Sequence, residues 1–486
     1  MNNKNNFTLV KTLSLAISLT VAGCVSTSKT DNPVKQLSLP AAWSNADVLD
    51  SSTLDPRKSM QWHTLLNDEA LQQLIILAKQ KNHLLQSSQA VVDIAKQTAE
   101  IAGVTKFPDI TLSQGNSRRK VVNDDNINYQ TTADVNLQLS YELDLWGKLS
   151  DQQHQASLDY LSAKNNYFQQ EQQLIADVSK AWFSAVEAQQ LLALYQARAK
   201  NQEDSLAMIE SSYRLGLKDA LDVYLAKNNL NSELARVTQQ EQTVVERKRT
   251  LELLIGQYPN GQISINQQLP DTEPFLPNAL PAQLLTKRAD LVAAWYQLLA
   301  LDAGVAVAHK QRFPRIALTS TLGDSSNELG DLLDGGALAW SLIGNITMPI
   351  FNAGKLAAQE QQAKLRLAQQ EQLYLKQVYQ AFSDVENGLN NHSALKQRYL
   401  YLKQAQENAN QAEQLSFAQY QKGLVSYTTV LDAQRRLFDA QTAVIQVKNQ
   451  LIQNQIALYL ALGGGYQFEQ PNNQDHRLTS FSLGSQ

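Results

Sequence analysis

Residues 174–213 read LIADVSKAWFSAVEAQQLLALYQARAKNQEDSLAMIESSY. Their apolar and small residues fall at Leu174, Val178, Ala181, Ala185, Ala188, Leu192, Tyr195 and Ala199, then at Leu206, Ile209 and Tyr213. The steps alternate between four and three, which is the seam of a coiled coil. Carried back to Lys148, the stretch predicts one helix over 148–213, about 100 Å long at 1.5 Å per residue. Such a helix needs partners along most of its length. The alanines in the seam let those partners approach closely, and the rest of the chain reads as supplying them.

The chain has 486 residues, 43% hydrophobic and 18% charged, with a formal net charge of −4. That is room for two or three domains, without the basic excess that nucleic acid attracts. The start is a targeting segment: Lys4 and Lys11 precede a short apolar run over 13–22 that ends Val21, Ala22, Gly23, Cys24. The run is too short to span a membrane. Nothing after residue 30 offers eighteen consecutive apolar residues, so no membrane-crossing helix is expected; β-barrel strands, whose signal is weaker, stay open. Cys24 is the only cysteine, which leaves no intramolecular disulfide. The six histidines show no metal-ligand spacing, and no phosphate loop or nucleophile motif occurs. No enzyme, metal or cofactor is therefore expected.

Residues 25–60 read as an irregular arm, pinned by Trp43 and Trp62 to an apolar surface. One helix is predicted over 68–103. Two stretches of β character follow: Ile110 and Leu112, then, after a loop over 117–130 holding Arg118, Arg119 and Lys120, an alternation at Val135, Leu137, Leu139, Tyr141 and Leu143. Apolar on one side and polar on the other is how a lipid-facing barrel strand reads, although a half-buried soluble strand reads the same. The long helix stops at Leu215, Gly216, Leu217, and a return helix is expected over 219–255. A link over 258–281 with four prolines marks a boundary.

Beyond the link the chain repeats itself. Phe107 and Pro108 recur as Phe313 and Pro314, 206 residues on; Gly147, Lys148 and Leu149 recur as Gly354, Lys355 and Leu356, and Tyr213 and Gly216 as Tyr420 and Gly423, each 207 on. A constant offset argues for duplication. Phe183 matches Phe382 only at 199, which reads as a slip inside the long helix. A final helix over 428–462 carries a second seam whose one polar member is Asn454, a residue that fixes register when buried. The expected segments are 1–23 signal, 24–66 arm, 67–257 first repeat, 258–281 link, 282–465 second repeat and 466–486 tail.

Each half thus reads helix, strand, strand, long helix, return helix. Four strands cannot close a barrel, since membrane barrels need at least about eight. Open edges are not tolerated in lipid. Strands of this kind in a membrane require an oligomer, and a trimer supplies twelve.

The whole mature chain resembles the TolC-like outer-membrane factor family, in its lipoprotein (NodT-type) subgroup of drug efflux channels. The resemblance rests on YELDLWGKL at 141–149, its counterpart MPIFNAGKL at 348–356, VLDAQRRL at 430–437 and ALGGG at 461–465, with the duplication. The segment before Cys24 resembles the lipobox of bacterial lipoproteins, with Val21 where leucine is more usual. Ala289 stands where the family commonly has proline, and Trp295 where it has glutamate. The resemblance implies a mainly α fold with membrane β: a trimer whose 12-stranded outer-membrane β-barrel continues into a periplasmic α-helical barrel. It implies lipidation at Cys24, and Val25 in place of aspartate implies an outer-membrane destination. The implied partners are two further copies of the chain, a periplasmic adaptor, an inner-membrane efflux transporter and outer-membrane lipid. The implied role is passive exit of drugs or other small solutes.

The same resemblance places a periplasmic gate at Thr428, Asp432 and Arg435, and adaptor-docking tips at Leu215, Gly216, Leu217 and at Lys422, Gly423, Leu424. From the residues alone Asp432 reads as a helix cap and Arg435 as a solvated charge, and each glycine as an ordinary helix terminator. Tyr129, Tyr141, Trp146 and Trp340 are candidates for an interfacial aromatic girdle. Two alternatives stand beside efflux: an exit duct for type I secretion of proteins or peptides, and a lipid-anchored coiled-coil scaffold without a pore.

Overall fold

The computed structural model describes residues 42–44, 62–66, 68–123, 126–265, 268–270, 281–327 and 338–465. Cys24, the targeting segment, most of the arm and the tail lie outside the described residues. A 3₁₀ turn at Trp62–Leu66 leads into α1 (Glu69–Lys81) and α2 (His83–Val104), the hairpin of β1 (Asp109–Asn123) and β2 (Asn126–Leu143), then α3 (Lys148–Arg214) and α4 (Ala220–Leu254). The second half follows the same order: α5 (Leu284–Lys287), α6 (Ala289–Lys310), β3 (Arg315–Ser326), β4 (Ala339–Thr347), α7 (Lys355–Gln421) and α8 (Tyr427–Ala461).

Helices α3 and α7 each have 67 residues, and α4 and α8 each have 35. Lys148 and Lys355, Arg214 and Gln421, Ala220 and Tyr427, and Leu254 and Ala461 are all 207 residues apart. Equal lengths leave no slip inside the long helix. The structural counterpart of Phe382 is Ile175, with Val385 and Leu389 standing for Val178 and Trp182, so the match of Phe183 to Phe382 is coincidental.

The single helix expected over 68–103 is two. Asn82 ends α1, its backbone amide bonding Ala78 O, and its side chain caps α2 by accepting from Leu85 N at 2.9 Å. Its amide also donates to Leu254 O at 2.9 Å, tying the break to the end of α4. The apolar period runs on through the break, so periodicity alone gives no sign of it.

The strands form one antiparallel sheet in the order β1-β2-β3-β4. The loop expected over 117–130 is instead hairpin: Ser117 pairs with Thr132, Arg118 with Thr131, Arg119 with Gln130 and Lys120 with Tyr129. Ladder hydrogen bonds need no apolar side chains, which is why a polar ribbon hid from a hydrophobic alternation. Since β3 pairs with β2 only as far as Ala133–Ser326, the upper part of this hairpin stands beyond the sheet.

Register gives the sheet two unlike faces. One carries Ile110, Leu112, Val135, Leu137, Leu139, Tyr141, Leu143, Ile316, Leu318, Leu322, Trp340, Leu342 and Ile346; the other carries Thr111, Ser113, Asn136, Gln138, Ser140, Thr319 and Thr321. On the apolar face Leu112, Trp340 and Ile346 are exposed within the subunit.

The main core lies midway down α3. There the expected seam widens to a broad face that includes Ile175, Ala176, Trp182, Phe183 and Val186. Trp62 stacks on Tyr459 with ring centroids 5.5 Å apart. Asp68 caps α1 through Leu71 N at 3.0 Å and accepts from the Trp182 indole at 2.7 Å, which satisfies both buried polar groups. Part of the link joins this core: Ile265 and Leu269 are buried, and Glu252 accepts from the amides of Gly261, Gln262 and Ile263. Asn454 donates to Gly388 O at 3.0 Å, a polar register contact between α8 and α7. Helix α6 is long and apolar enough to cross a membrane, but half of that stretch is buried against its neighbours. It packs between α3 and α7 as a core helix, with Trp295 against Tyr374.

Candidate functional site

Both long helices end in the same backbone motif. The amides of Gly216 and Leu217 return to Tyr213 O (2.8 Å) and Ser212 O (2.9 Å); those of Gly423 and Leu424 return to Tyr420 O and Gln419 O, both at 3.0 Å. These are Schellman caps, and the left-handed φ of +73° and +71° they impose is the reason for glycine. Nothing lies within 4 Å of a Cβ built on either glycine. Leu215, Leu217 and Leu424 are 70–72% exposed. Each tip therefore presents apolar side chains to its surroundings on a rigid turn. Lys422 is the C-cap of α7 and is exposed.

The two tips touch. Tyr420 donates its hydroxyl to Asp222 Oδ2 at 2.8 Å. Lys218 Nζ donates to Tyr420 O at 3.0 Å and lies 3.7 Å from that ring's centroid. The Tyr420 ring packs 5.3 Å from Tyr427, in a small buried cluster with Ile209, Val223, Ala226 and Val430. Burial, reinforced by the Asp222 carboxylate, pushes both phenols up, Tyr427 to about 12. Among the described residues the buried Tyr427 hydroxyl has no hydrogen-bond partner. This cluster went unread in the sequence, because Asp222 and Tyr420 are 198 residues apart.

Asp432 does not cap its helix. The N-cap of α8 is Ser426, and Asp432 lies in the second turn, accepting from Arg435 Nη2 at 2.6 Å and from Arg436 Nε at 2.8 Å. Arg436, then Arg435, hold its carboxyl below the usual range. All three side chains are largely solvated, which limits the pairing to a modest energy. The structure brings Asp432 and Arg435 together and adds Arg436 as a second partner. Thr428 lies one turn before Asp432 on α8, its hydroxyl 2.6 Å from that of Ser426.

At the other end, Asp144 anchors the start of α3. It accepts from the amides of Leu149 and Ser150, both at 2.8 Å, and from the Ser150 hydroxyl at 2.7 Å. Burial opposes its charge, but these bonds prevail and lower its pKa. Glu142 pairs with Lys148 at 2.6 Å and Arg315 at 2.8 Å, and Lys310 with Asp151 at 2.5 Å. Strands and helices are thus locked together where they meet.

The sequence profile of the outer membrane efflux protein family matches residues 74–257 and 280–464. The chain belongs to this family. It is 32% identical over 414 residues to the solvent efflux pump outer membrane protein SrpC of Pseudomonas putida, covering 83% of this chain and 87% of that one. Against the probable outer membrane lipoprotein SilC of Salmonella typhimurium it is 30% identical over 473 residues, covering 94% and 99%. The solved open state of the MtrE outer membrane channel of Neisseria gonorrhoeae superposes with a TM-score of 0.79 at 26% identity, covering 92% of this chain and 99% of that one.

In this outer-membrane efflux protein the aromatic candidates divide. Trp340 is exposed in the last apolar row of the sheet, Tyr129 is exposed on the projecting hairpin eight residues above Leu137, and Tyr141 is half-buried. Trp146 instead packs inward, donating to Pro314 O at 2.7 Å with its ring 5.4 Å from Phe313. Further toward the tips, Arg198 is half-withdrawn between the Phe438 ring, 3.7 Å away, and Glu233 at 3.6 Å; burial pulls its pKa down to about 10.

Proposed function

We propose that three copies of this chain form the outer-membrane exit duct of a tripartite efflux pump, conducting small solutes passively from an inner-membrane transporter and periplasmic adaptor to the exterior. The observation that carries this reading is a four-stranded sheet with one apolar and one polar face, unpaired at both edges, running directly into 67-residue helices. Lipid requires the edges to be closed. Neighbouring copies close them by pairing β1 with β4 of the next subunit, which gives twelve strands, an apolar outer wall and a polar lumen.

The helical half continues this assembly. Leu84, Val91, Ile94 and Ile101 on α2, and Leu365, Leu373, Tyr379 and Leu400 on α7, are exposed within the subunit and suit burial against another copy. Leu215, Leu217 and Leu424 on the glycine turns take the adaptor. Closure rests on the tip of the α7–α8 hairpin, through the Tyr420–Asp222 contact and Asp432 with its arginines; an adaptor that separates the tips opens the duct. Cys24 carries the lipid anchor. The cargo, by likeness to the solvent efflux relative, is small and largely apolar.

Single-channel recording in planar bilayers tests this, comparing wild type with Asp432→Ala/Arg435→Ala. A small, mostly closed conductance that rises in the variant is expected. A conductance unchanged by the substitutions moves the gate elsewhere, and correctly inserted trimers that never conduct refute the duct.

A further inference from the structure

The duplication supplies a template for the joint between copies. Within the subunit, β3 follows α6 and pairs with β2, which runs on into α3. In the barrel proposed above, β1 follows α2 and pairs with β4 of the next copy, which runs on into α7. The two joints correspond residue by residue. Helices α2 and α6 both have 22 residues and start 206 apart, α3 and α7 start 207 apart, and Asp109 pairs with Ser140 as Arg315 pairs with Thr347. The contacts that α6 and β3 make on the start of α3 therefore mark where α2 and β1 of one copy meet α7 of the next.

The internal joint is charged. Lys310, at the end of α6, pairs with Asp151 at 2.5 Å and lies close enough to Asp144 to lower its pKa. Arg315 and Lys148 share the Glu142 carboxylate, at 2.8 and 2.6 Å. At the corresponding positions these residues change as matched sets. Lys310, Asp151 and Asp144 become Val104, Ala358 and Phe351, so partners that need one another's charge lose it together. Arg315 becomes Asp109, Lys148 stays a cation as Lys355, and Glu142 between them becomes Pro349. A cation, carboxylate and cation are thus replaced by one carboxylate and one cation. Asp109 and Lys355 are both exposed, and among the described residues neither has an ion-pair partner.

We infer that the copies join at the base of the barrel through an apolar seat, Val104 and Phe107 of one copy on Phe351 and Ala358 of the next, closed by an ion pair between Asp109 and Lys355. The inference rests on the barrel reading above and specifies its contact between neighbours. Val104, Phe107 and Phe351 are 61%, 69% and 89% exposed in one copy, which leaves a large apolar area to cover. Lipid would ask for apolar residues here but not for opposite charges at Asp109 and Lys355. The seat also continues along the helices. Ile94 and Leu365 are exposed, whereas their counterparts Ala300 and Leu158 are buried in one cluster between α6 and α3. The contact joins unlike surfaces, as a closed ring of three requires, and the ion pair fixes its register.

Two measurements on the full-length protein test the joint, with conductance in planar bilayers recorded in parallel. In the first, Val104→Cys/Ala358→Cys is treated with a short bismaleimide and run on a denaturing gel. Covalent trimers are expected, and none from either single variant, which carries Cys24 alike. In the second, trimer loss is timed in sodium dodecyl sulfate. Asp109→Lys and Lys355→Asp are each expected to speed it roughly tenfold, three partly exposed pairs being reversed at once, and the double reversal to return within about twofold of wild type. A double reversal no better than the single ones overturns the ion pair. Conducting trimers without cross-links place the apolar side chains in lipid instead and overturn the seat, leaving the duct intact. Inserted protein that stays monomeric and never conducts brings down the duct and the joint together.

Discussion

Deleting one hydroxyl at the helical tips isolates the contact between the two hairpins. Tyr420→Phe keeps the ring 5.3 Å from Tyr427 and 3.7 Å from Lys218 Nζ, and removes only the 2.8 Å bond to Asp222. A hydrogen bond to an ionised group contributes about 1.5–3 kcal/mol. Because Asp222 is only half-buried, water replaces part of what is lost, and the lower figure applies. About 1.5 kcal/mol is close to a tenfold change in an equilibrium. If the tips of α4 and α7 part when the duct opens, the loss falls on the closed state alone. Subunits that open independently then each gain about tenfold in the open state. Three that release together add to about 4.5 kcal/mol, a thousandfold or more. Open fraction in single-channel records at fixed voltage distinguishes these outcomes, and Lys218→Ala, which removes the 3.0 Å bond to Tyr420 O, should shift it the same way. An open fraction within twofold of wild type in Tyr420→Phe, with trimers and helical content intact, would refute the tip contact as a closing element.

The two faces of the sheet predict opposite tolerance of charge. Leu139→Arg, nearer the middle of the apolar face, should cost about 2–4 kcal/mol of barrel stability, and Gln138→Arg, its neighbour on the polar face, should cost little; folding into vesicles against urea measures both. Asp144→Ala removes three hydrogen bonds from the start of α3 and should cost about 1–2 kcal/mol, seen as a lower thermal midpoint, with the sheet otherwise unchanged by infrared absorption. Acid sensitivity should centre in part on Glu360, whose carboxyl is lowered from 4.5 to about 2 by its bond from Lys364 first, against its burial, and then by Arg312 and His309. A depressed pKa in the folded state stabilises fully above the ordinary value and is lost as pH falls through the folded one. Stability should therefore decline between about pH 4.5 and 2, and Glu360→Gln should be less stable at neutral pH with a flatter decline, read from thermal midpoints across that range.

The elements visible in the sequence are those written in local chemistry. The seam of α3 follows from steps of three and four, the tips from Leu-Gly-Leu at 215–217, and the duplication from glycines and aromatic residues at a fixed offset. What stayed hidden depends on partners far along the chain. Asn82 breaks a helix because Leu254 O needs a donor, and Asp68 is buried because the Trp182 indole needs an acceptor. The polar hairpin above Ala133 carries no hydrophobic alternation, since only its ladder holds it. At the proposed gate, the spacing of Asp432 and Arg435 was legible because both lie on one helix face. Arg436 satisfies the same rule at i,i+4 and was legible in principle, whereas the bond from Tyr420 to Asp222 joins separate repeats and was not.

The repeats match in length but not in how their cores are filled. Trp182 in α3 corresponds to Leu389 in α7 and Ile175 to Phe382, so the two clefts are lined by different side chains. Trp43 from the arm completes the second, buried among Leu284, Val385, Leu389, Leu458 and Leu462, with its ring 6.0 Å from Phe382. Ser44 adds two hydrogen bonds to Glu386 at 3.0 and 3.2 Å. The root of the α7–α8 hairpin is thereby fastened by a segment from the far end of the chain. Its tip is held by Ser416, Tyr420 and Tyr427, yet between His392 and Ser416 no residue of α7 is buried within the subunit. In α3 the matching interval, 185–209, buries Val186, Ala188, Leu191, Leu192, Ala199 and Gln202. Few buried contacts within the subunit leave this stretch of about 35 Å, clamped above by Trp43 and below by the Tyr420 contact, dependent on the neighbouring copies that Leu400 is suited to pack against. If the proposed duct opens by releasing the lower clamp, the asymmetry between two equal repeats predicts that the second moves and the first serves as the frame.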